Sequence, residues 1–402
     1  MLLVMFMKVE ILRFDDFGRG ICFVNDKVTF VPFSTPGDVL EIEITKEKKN
    51  YNEGKIVKMI KPSKNRIVPP CQYFGICGGC AYQMLDYEKS ILEKQNNVMN
   101  YFKKNGLLIK PNIIKNDTPY NYRNKITLKI VNKKIGYFKN NSHDIVEINN
   151  CLLANNKINE VIKLLSSLSI INGEVIIRCN YKEEVFIVIN TYDNVDISKI
   201  KNIKDLKGIV LNNKTIYENN YFIEEVNDIK YNVAYDAFFQ VNRLVCGKMF
   251  KIAQDFVNID DIVLDLYSGV GTLGLSATKK AKEVVGVEIN KNAVDNANSN
   301  AKLNNLTNAK FIYSDAGDIK NLDINFNKLI VDPPRAGLSQ DTIDFINKRL
   351  PEEIMYISCD YHTQVRDLKL LDNYEITNSY VCDLFSYTYH VECICILKRI
   401  CK

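Results

Sequence analysis

At the start of the chain, hydrophobic positions fall in short runs rich in β-branched side chains. Asp15-Asp16, Asn25-Asp26 and Pro36-Gly37 separate these runs, and such residues commonly form turns between strands. The pattern predicts five short strands, at residues 9–14, 20–24, 27–31, 38–45 and 54–60. A set of short strands at this spacing predicts a small OB-like β-barrel over residues 1–65.

Two kinds of periodicity are mixed between residues 66 and 232. Helical spacing predicts helices at residues 89–104 and 161–168. Runs of β-branched residues predict strands at residues 126–131, 134–138, 173–179 and 184–190. We therefore predict an α+β central domain over residues 66–232, although this periodicity carries no information about its chemistry.

From residue 233 onwards, strand-like and helix-like segments alternate. Strands are predicted at residues 262–266, 283–288, 310–313, 328–331 and 354–358, and helices at residues 243–257, 273–278, 292–304 and 342–349. This alternation predicts a parallel sheet with helices on both faces, which makes residues 233–402 a Rossmann-like α/β domain. Residues 374–381 and 387–397 predict an antiparallel hairpin at the edge of that sheet.

The composition is that of an ordinary soluble globular protein, with 46% hydrophobic and 25% charged residues. The apolar run at residues 1–7 is too short to span a membrane and lacks the basic n-region and cleavage site of a signal peptide, so we expect it to begin a β-strand. No other run approaches membrane length. We therefore expect a cytoplasmic protein with no membrane contact, and nothing in the sequence indicates an obligate protein partner.

Positive charge is concentrated in residues 91–140, which hold eleven Lys or Arg residues and two acidic ones, a local net charge of +9. Aromatic residues are interleaved with the basic ones: Tyr101, Phe102, Tyr120, Tyr122, Tyr137 and Phe138. Basic groups neutralise phosphates and aromatic rings stack on unpaired bases, so this stretch predicts contact with single-stranded or looped RNA. A solvated Lys-rich face is the alternative.

A glycine-rich loop follows the strand predicted at residues 262–266. It reads Tyr267-Ser268-Gly269-Val270-Gly271, and glycines there let the backbone pass close beneath a ligand bound beyond the carboxyl ends of the strands. The loop matches neither the GxGxxG fingerprint nor a phosphate-binding loop. Glu288 ends the next strand, where a carboxylate can accept hydrogen bonds from ribose hydroxyls. This suits S-adenosylmethionine (SAM), which has a ribose and no phosphate; an ordinary βαβ turn is the alternative.

Three further residues lie at the ends of predicted strands or on the terminal hairpin. Asp332 precedes Pro333-Pro334, a stiff turn that holds the carboxylate at the edge of the sheet. Cys359 follows the strand at residues 354–358, and its thiolate can add to C6 of a pyrimidine ring. That addition makes C5 nucleophilic toward an electrophilic methyl group, and a base must then remove the C5 proton. Glu392, on the terminal hairpin, is the candidate base.

The twelve cysteines are expected to be metal ligands, nucleophiles or buried thiols rather than a disulfide scaffold, because no export signal is present. Cys71, Cys77 and Cys80 are spaced C-x5-C-x2-C and predict a metal site, for which Cys151 is a plausible fourth ligand. With only three histidines, the choice lies between an all-cysteine zinc site and an iron–sulfur cluster, and the spacing favours neither. Four other cysteines are expected to be inert core residues: Cys22, Cys179, Cys246 and Cys382.

Taken together, these motifs resemble those of the SAM-dependent RNA 5-methyluridine (uracil-C5) methyltransferases, and especially the bacterial 23S rRNA branch with a TRAM domain and an iron–sulfur cluster. The resemblance covers essentially the whole chain and implies a TRAM barrel at its start. It implies a 4Fe-4S cluster on the four cysteines of the predicted metal site: Cys71, Cys77, Cys80 and Cys151. It also implies SAM contacts from the Phe238-Phe239-Gln240 motif and from four other positions: Tyr267, Glu288, Asp332 and Asp315. Cys359 matches the nucleophile of the family and Glu392 its base.

The chain departs from the family pattern beside the nucleophile. The family usually has Ser-Cys-Asn-Pro, whereas this chain has Ser358-Cys359-Asp360-Tyr361. We expect the Asp360 carboxylate to raise the pKa of the Cys359 thiol unless it points away from the thiol or is paired, and Arg366 is the candidate partner.

The resemblance implies a uridine of 23S rRNA as the substrate, and three alternatives stand beside it. The first is the same chemistry on a tRNA uridine. The second is a non-catalytic RNA-binding or assembly protein, against which the intact Cys359 and Glu392 speak. The third is a radical-SAM enzyme, which the x5 spacing between Cys71 and Cys77 disfavours because that class uses Cys-x3-Cys-x2-Cys.

Overall fold

The computed structural model of the protein describes residues 6–140, 142–316 and 324–400. Its first sheet has the order β1-β5-β6-β4-β3-β2, and apolar side chains such as Ile11, Val31 and Leu40 pack in one core within it. The strands are β1 (Phe6–Glu10), β2 (Arg13–Phe14), β3 (Gly20–Val24), β4 (Lys27–Val31), β5 (Val39–Glu47) and β6 (Tyr51–Lys61). The predicted N-terminal β-domain is confirmed, while residues 1–5 of its expected first strand lie outside the described residues.

The strand predicted at residues 9–14 is two strands in the structure. The chain changes partner between Ile11 and Leu12: the Ile11 N–H donates to the carbonyl of Asp38, and the Leu12 N–H donates to the carbonyl of Ile21. β1 therefore pairs with β5, and β2 pairs with β3.

A long helix and one short strand precede the second sheet; they are α1 (Tyr87–Lys104) and β7 (Asn112–Ile114). The second sheet has seven strands in the order β10-β9-β8-β11-β12-β13-β14. Its elements are β8 (Lys125–Val131), β9 (Lys134–Phe138), β10 (Ile145–Glu147), α2 (Asn156–Leu165), β11 (Gly173–Cys179), β12 (Val185–Thr191), β13 (Leu206–Leu211) and β14 (Lys214–Glu218). The four predicted strands and both predicted helices are confirmed here.

The second predicted helix starts earlier than expected, because Asn155 caps it by accepting a hydrogen bond from the N–H of Lys157. Six strands between residues 66 and 232 were not predicted: β7, β10, β13, β14 and the hairpin formed by β15 (Tyr221–Val226) and β16 (Ile229–Ala234). None of the described helices is long and apolar enough to cross a membrane.

The third large sheet has eight strands in the order β19-β18-β17-β20-β21-β23-β22-β7. Its elements are α3 (Arg243–Phe256), β17 (Ile262–Leu266), α4 (Thr272–Ala277), β18 (Glu283–Glu288), α5 (Lys291–Leu303), β19 (Ala309–Tyr313), β20 (Lys328–Val331), α6 (Gln340–Arg349), β21 (Glu353–Ser358), α7 (Tyr361–Leu368), β22 (Tyr374–Cys382) and β23 (Glu392–Arg399). The five strands from β17 to β21 run parallel. Separate apolar cores cover the sheet, as expected for parallel strands buried on both faces.

Two details of the predicted terminal hairpin are wrong. The hairpin does not lie at the edge of the sheet, because β7 pairs with β22 on its outer side. Its second strand begins at Glu392 rather than at Tyr387, and Tyr387 has a left-handed φ of 61° that a β-strand does not accept. Residues 383–391 therefore form a loop that leads directly to the predicted base.

Candidate active site

The eight-stranded sheet reverses its strand order at β17. β18 and β19 lie on one side of β17, and β20 and β21 lie on the other. In sheets of this kind, ligands bind beyond the carboxyl ends of the strands at the point of reversal. A cavity of about 650 Å³ is found there. Six of the seven predicted cofactor and catalytic residues line it: Gln240, Tyr267, Glu288, Asp332, Cys359 and Glu392.

The seventh predicted residue, Asp315, is not among the residues that line this cavity. It follows β19, two residues beyond the end of that strand. Burial raises the pKa of Tyr267, and the negative charge of Asp315 adds to the rise. The negative charge of Asp315 therefore acts on Tyr267, although Asp315 itself does not line the cavity.

The glycine-rich loop shapes one wall of the cavity. Gly269 and Gly271 have left-handed φ angles of 54° and 85°, which glycine adopts without steric cost. A Cβ atom on Gly271 would lie 2.8 Å from the ring of Phe311, so a larger residue would displace that ring. The sequence therefore requires glycine at this position for two reasons, the backbone angle and the packing.

Glu288 is oriented by the same loop. The Gly269 N–H donates to Glu288 Oε2 at 3.0 Å, and the Asn290 N–H donates to Oε1 at 2.8 Å. Each carboxylate oxygen can accept further hydrogen bonds. Glu288 can thus hold the two hydroxyls of a ribose while the backbone fixes its orientation, as the ligand class predicted from the sequence requires.

Tyr267 is a non-glycine residue with a left-handed φ of 62°, a conformation that costs on the order of 1–3 kcal/mol. Its hydroxyl is 3.1 Å from Thr342 Oγ1, and the residue lines the cavity. Asp265, fully buried in β17, accepts a hydrogen bond from the Gly274 N–H at 2.9 Å, and burial raises the pKa of its carboxyl to about 8. The loop is therefore anchored from beneath by β17 and α4.

The predicted nucleophile and base share the far end of the cavity. Burial raises the pKa of the Cys359 thiol to about 11, and the negative charges of Glu392 and Asp332 contribute to the rise. Burial also raises the pKa of Glu392 well above its usual range and that of Asp332 to about 7. Burial therefore disfavours the charged form of each of these three groups.

Arg335 is a residue whose role the sequence analysis did not assign. Its positive charge lowers the pKa of both the Cys359 thiol and the Glu392 carboxyl, opposing the effect of burial. The signal was present in the sequence, because Arg335 closes the Asp332-Pro333-Pro334-Arg335 motif. The motif therefore contributes a cation, Arg335, as well as the acid Asp332.

The expected partner of Asp360 is wrong. Asp360 caps α7 by accepting from the His362 N–H at 2.9 Å, and its Oδ1 lies 3.0 Å from His362 Nδ1. Arg366 instead pairs with Asp367 and donates to the carbonyl of Ala336. The raised pKa of Cys359 therefore comes from burial and from Glu392, while Asp360 is held by the helix cap and the imidazole.

His362 also links this loop to the N-terminal domain, because its Nε2 lies 3.1 Å from Asp16 Oδ2. The hydrogen bond that His362 donates to Asp16 raises the pKa of His362, burial lowers it, and the hydrogen bond to Asp360 adds to the rise. The stabilisation from this bridge is then fully present below the ordinary pKa of 6.5 and is lost as the pH rises through the raised folded-state value.

Replacing His362 with glutamine should lower the melting temperature at pH 5.5 and leave it nearly unchanged at pH 9. The physical reason is that glutamine cannot become positively charged between the two carboxylates. Thermal unfolding over this pH range checks the prediction, with His143→Gln at an exposed histidine as the matched control. A deficit that is equal at both pH values would contradict a charged bridge.

The four cysteines of the predicted metal site line a second cavity, of about 60 Å³. None of them forms a disulfide, and the Gln83 amide donates to Cys80 Sγ at 3.2 Å. Burial raises the pKa of Cys71, Cys77 and Cys80. Within the described ranges, no three His, Cys, Asp or Glu side chains are grouped so as to hold a metal ion. The donor set is thus soft, free of disulfides and gathered around one cavity.

The basic and aromatic stretch at residues 91–140 is only partly a surface. Phe102 is fully buried and Tyr122 is 7% exposed, so neither ring can stack on a base. Tyr137 lines the cysteine cavity. Tyr120 stacks on Tyr387, with the two ring centroids 5.1 Å apart. The expected RNA contact is therefore wrong for Phe102 and Tyr122, while the half-buried Tyr120 and Tyr137 and the exposed lysines of the stretch remain a prediction.

All four cysteines expected to be inert lie in apolar cores. Cys22 lies in the core of the first sheet, and Cys246 and Cys382 lie beside the third sheet. Cys179 packs in the core of the second sheet. This expectation is confirmed.

Comparison with protein families assigns most of the chain. The model described as tRNA (Uracil-5-)-methyltransferase matches residues 86–400. A model of the TRAM domain of tRNA (uracil(54)-C(5))-methyltransferase matches residues 7–64. The two matches agree with the order of the N-terminal sheet and the methyltransferase-like sheet described above.

Similar proteins are found among bacteria. A protein of Francisella tularensis subsp. novicida named 23S rRNA (uracil(1939)-C(5))-methyltransferase RlmD is 31% identical, with 98% of this chain and 97% of that one covered. A protein of the same name from Legionella pneumophila is 32% identical, with 95% of each chain covered.

A solved structure has the same overall fold. It is the Pyrococcus abyssi tRNA (uracil-54, C5)-methyltransferase in complex with S-adenosyl-L-homocysteine. The TM-score is 0.82 at 26% identity, and the match covers 97% of this chain and 99% of that one.

Proposed function

Because the chain belongs to the tRNA (uracil-5-)-methyltransferase family of RNA uracil-C5 methyltransferases, we propose that it transfers a methyl group from SAM to C5 of a uridine in 23S rRNA. The observation that carries the proposal is the shared cavity: Cys359 and Glu392 line the same space as Tyr267 and Glu288. The nucleophile and the base therefore face the place where the methyl donor would lie. The rRNA substrate is supported by the names of the two bacterial relatives.

The residues present fit SAM. Glu288 has free acceptor capacity for a ribose, and Gln240, Tyr267 and Asp332 line the rest of the cavity. Bound there, SAM would supply an electrophilic methyl group. The chain itself supplies binding, orientation and proton transfer.

The proposed covalent steps balance in atoms and electrons. Cys359 gives its proton to water, and its sulfur forms a bond to C6 of uracil while the C5–C6 electron pair moves toward C5 and O4. C5 would then take the electrophilic methyl group that bound SAM supplies, and the donor sulfur would keep the electron pair of the broken methyl–sulfur bond. Glu392 removes the C5 proton, the C5–C6 double bond re-forms, and the Cys359 sulfur leaves C6. Arg335 favours the thiolate and the carboxylate that these steps need.

Methylation of a tRNA uridine is the second candidate, and the structural match to the Pyrococcus abyssi tRNA enzyme favours it. Purified protein, labelled SAM and unmodified transcripts of 23S rRNA and of tRNA separate the two. We expect label in 23S rRNA alone. Label in tRNA alone would support the second candidate, and no transfer to either would contradict the proposed activity.

We further propose that Cys71, Cys77, Cys80 and Cys151 hold a 4Fe-4S cluster. Soft thiolates are the ligands that iron–sulfur clusters use, and these four cysteines line one cavity with none of them in a disulfide. The amide of Gln83, which donates to Cys80 Sγ, can also hydrogen-bond a cluster thiolate.

Anaerobically purified protein should therefore contain iron and acid-labile sulfide in equal amounts, and replacing Cys80 with serine should lower both together. Because the cluster is expected to organise the loop around Cys80, the variant should also melt at a lower temperature. Metal and sulfide analysis checks this prediction. Zinc without sulfide would contradict it.

The division of the chain near residues 65 and 232 is also part of the proposal. It is supported by the end of the first sheet at Lys61, by the second sheet, whose strands lie between Lys125 and Glu218, and by the start of α3 at Arg243. β7 crosses this division, since it belongs to the central segment and pairs with β22.

A further inference from the structure

The position of Glu392 depends on the loop that precedes it. Glu392 is the first residue of β23 and pairs with Cys382, the last residue of β22. Residues 383–391 connect the two strands and make no ladder of their own. Glu392 therefore stands at the junction between this loop and β23, where the path of the loop can shift its carboxylate relative to the cavity.

A lysine of α1 closes this loop at its base. Lys94 is 2% exposed, and its ammonium donates to Asp383 Oδ1 at 2.7 Å, to the carbonyl of Phe385 at 2.9 Å and to the carbonyl of His390 at 2.8 Å. These bonds use all three donors of the ammonium. Asp383 directly follows β22 and His390 stands two residues before Glu392, so Lys94 ties the two ends of the loop together.

Other bonds seat the same loop on the central part of the chain. The N–H groups of Ala81 and Tyr82 both donate to the carbonyl of Tyr387, at 2.9 and 3.1 Å. The Tyr122 hydroxyl donates to the carbonyl of Ser386 at 3.1 Å. The loop thus rests on side chains and backbone outside the methyltransferase sheet, including the residue that follows Cys80.

We propose that Lys94 is a positioning residue for Glu392, a role that rests on the function proposed above. Cys359 lies after β21 and has no bond to residues 383–391 in the part of the chain described. Loss of Lys94 should therefore slow the removal of the C5 proton while leaving the addition of Cys359 to C6 intact. Removal of this proton is the step that releases the RNA, so the covalent RNA–protein adduct should accumulate.

The plain alternative is that Lys94 and Asp383 are a buried ion pair that only supports the fold. Breaking such a pair destabilises a protein whatever its function. In that case turnover, RNA binding and adduct formation would fall together. An adduct that accumulates while turnover falls is a readout that a merely structural role does not produce.

The test uses the full-length protein with Lys94→Met, a 23S rRNA transcript and SAM. We expect turnover to fall about 100-fold, as a displacement of roughly 1 Å in a reacting group can cause, with a clear rise in RNA–protein adduct on a denaturing gel. Affinity for S-adenosylhomocysteine should stay unchanged. Lys89→Met is the matched control, because Lys89 lies on the same helix and pairs at the surface with Asp86.

Asp383→Asn provides a second variant if Lys94→Met does not fold, since it keeps the bonds from Lys94 to the carbonyls of Phe385 and His390. It should give a smaller rise in adduct. The proposal is overturned if folded Lys94→Met or Asp383→Asn turns over slowly without adduct, or turns over like the wild type. An adduct with Glu392→Gln but not with these variants removes the inference alone, whereas full activity of Cys359→Ala removes the proposed function.

Discussion

Replacing Cys359 with alanine is expected to reduce methyl transfer by on the order of 10⁴-fold or more, which amounts to its loss in a standard assay. The thiolate is the only group in the proposed steps that makes C5 nucleophilic, and removal of a nucleophile of this kind costs more than removal of any orienting contact. Cys359 directly follows the last residue of β21, so it lines the cavity from outside the strand. Its loss should therefore leave the fold and the affinity for S-adenosylhomocysteine unchanged.

Transfer of labelled methyl groups to a 23S rRNA transcript measures this effect. Cys22→Ala is the matched control, because Cys22 is a buried thiol in the core of the N-terminal sheet. The control should keep its activity. A Cys359→Ala protein that still methylates RNA would require a mechanism without covalent addition at C6.

Replacing Glu392 with glutamine is expected to trap the reaction after methyl transfer. Glutamine has the size and shape of a protonated glutamate, and it places an uncharged amide at a position that is 6% exposed. The fold should therefore tolerate the change. Without a base the C5 proton stays in place, so the sulfur of Cys359 cannot leave C6, and turnover should fall about 10²–10⁴-fold.

A denaturing gel with labelled RNA shows the trapped adduct directly. Glu375→Gln is the matched control, since Glu375 is an exposed carboxylate on the same hairpin, in β22. It should release RNA like the wild type. Free RNA with Glu392→Gln would show that this residue is not the base. Asp332, which lines the same cavity, would then be the next candidate.

The parallel strands could be predicted because of where they lie. β17, β20 and β21 are buried on both faces, so they appear in the sequence as continuous apolar runs between helical segments. The residues of the cavity could be predicted for the same reason: Glu288 ends a strand, and Asp332 and Cys359 directly follow one. The carboxyl ends of neighbouring parallel strands meet at one edge of a sheet.

What could not be predicted depends on contacts between distant segments. β7 has three residues, and its partner Tyr380–Cys382 lies far along the chain, so no period reveals it. Tyr387 alternates with Tyr389 and Val391 in a strand-like pattern, yet its carbonyl accepts from Ala81 and Tyr82 in a loop. Such contacts override the local pattern.

The partners of charged side chains also depend on contacts between distant segments. Lys94 counts in the sequence as one more basic residue of a positive stretch, but its helix packs that side inward against Asp383. Asp360 was predicted to pair with Arg366, six residues later in the chain. It instead contacts His362 at the N-terminus of α7. Side-chain direction comes from helix geometry and tertiary packing, which net charge does not contain.

The claim that this chain makes 5-methyluridine in 23S rRNA is tested most directly by mass spectrometry of nucleosides. Large-subunit rRNA and tRNA would be separated from a strain that lacks this gene and from its parent. We predict that the amount of 5-methyluridine falls in the rRNA of the mutant. It should return when the wild-type gene is restored, but not when the Cys359→Ala form is supplied. Unchanged rRNA with loss of 5-methyluridine from tRNA would contradict the substrate, and no loss from either RNA would contradict the central claim.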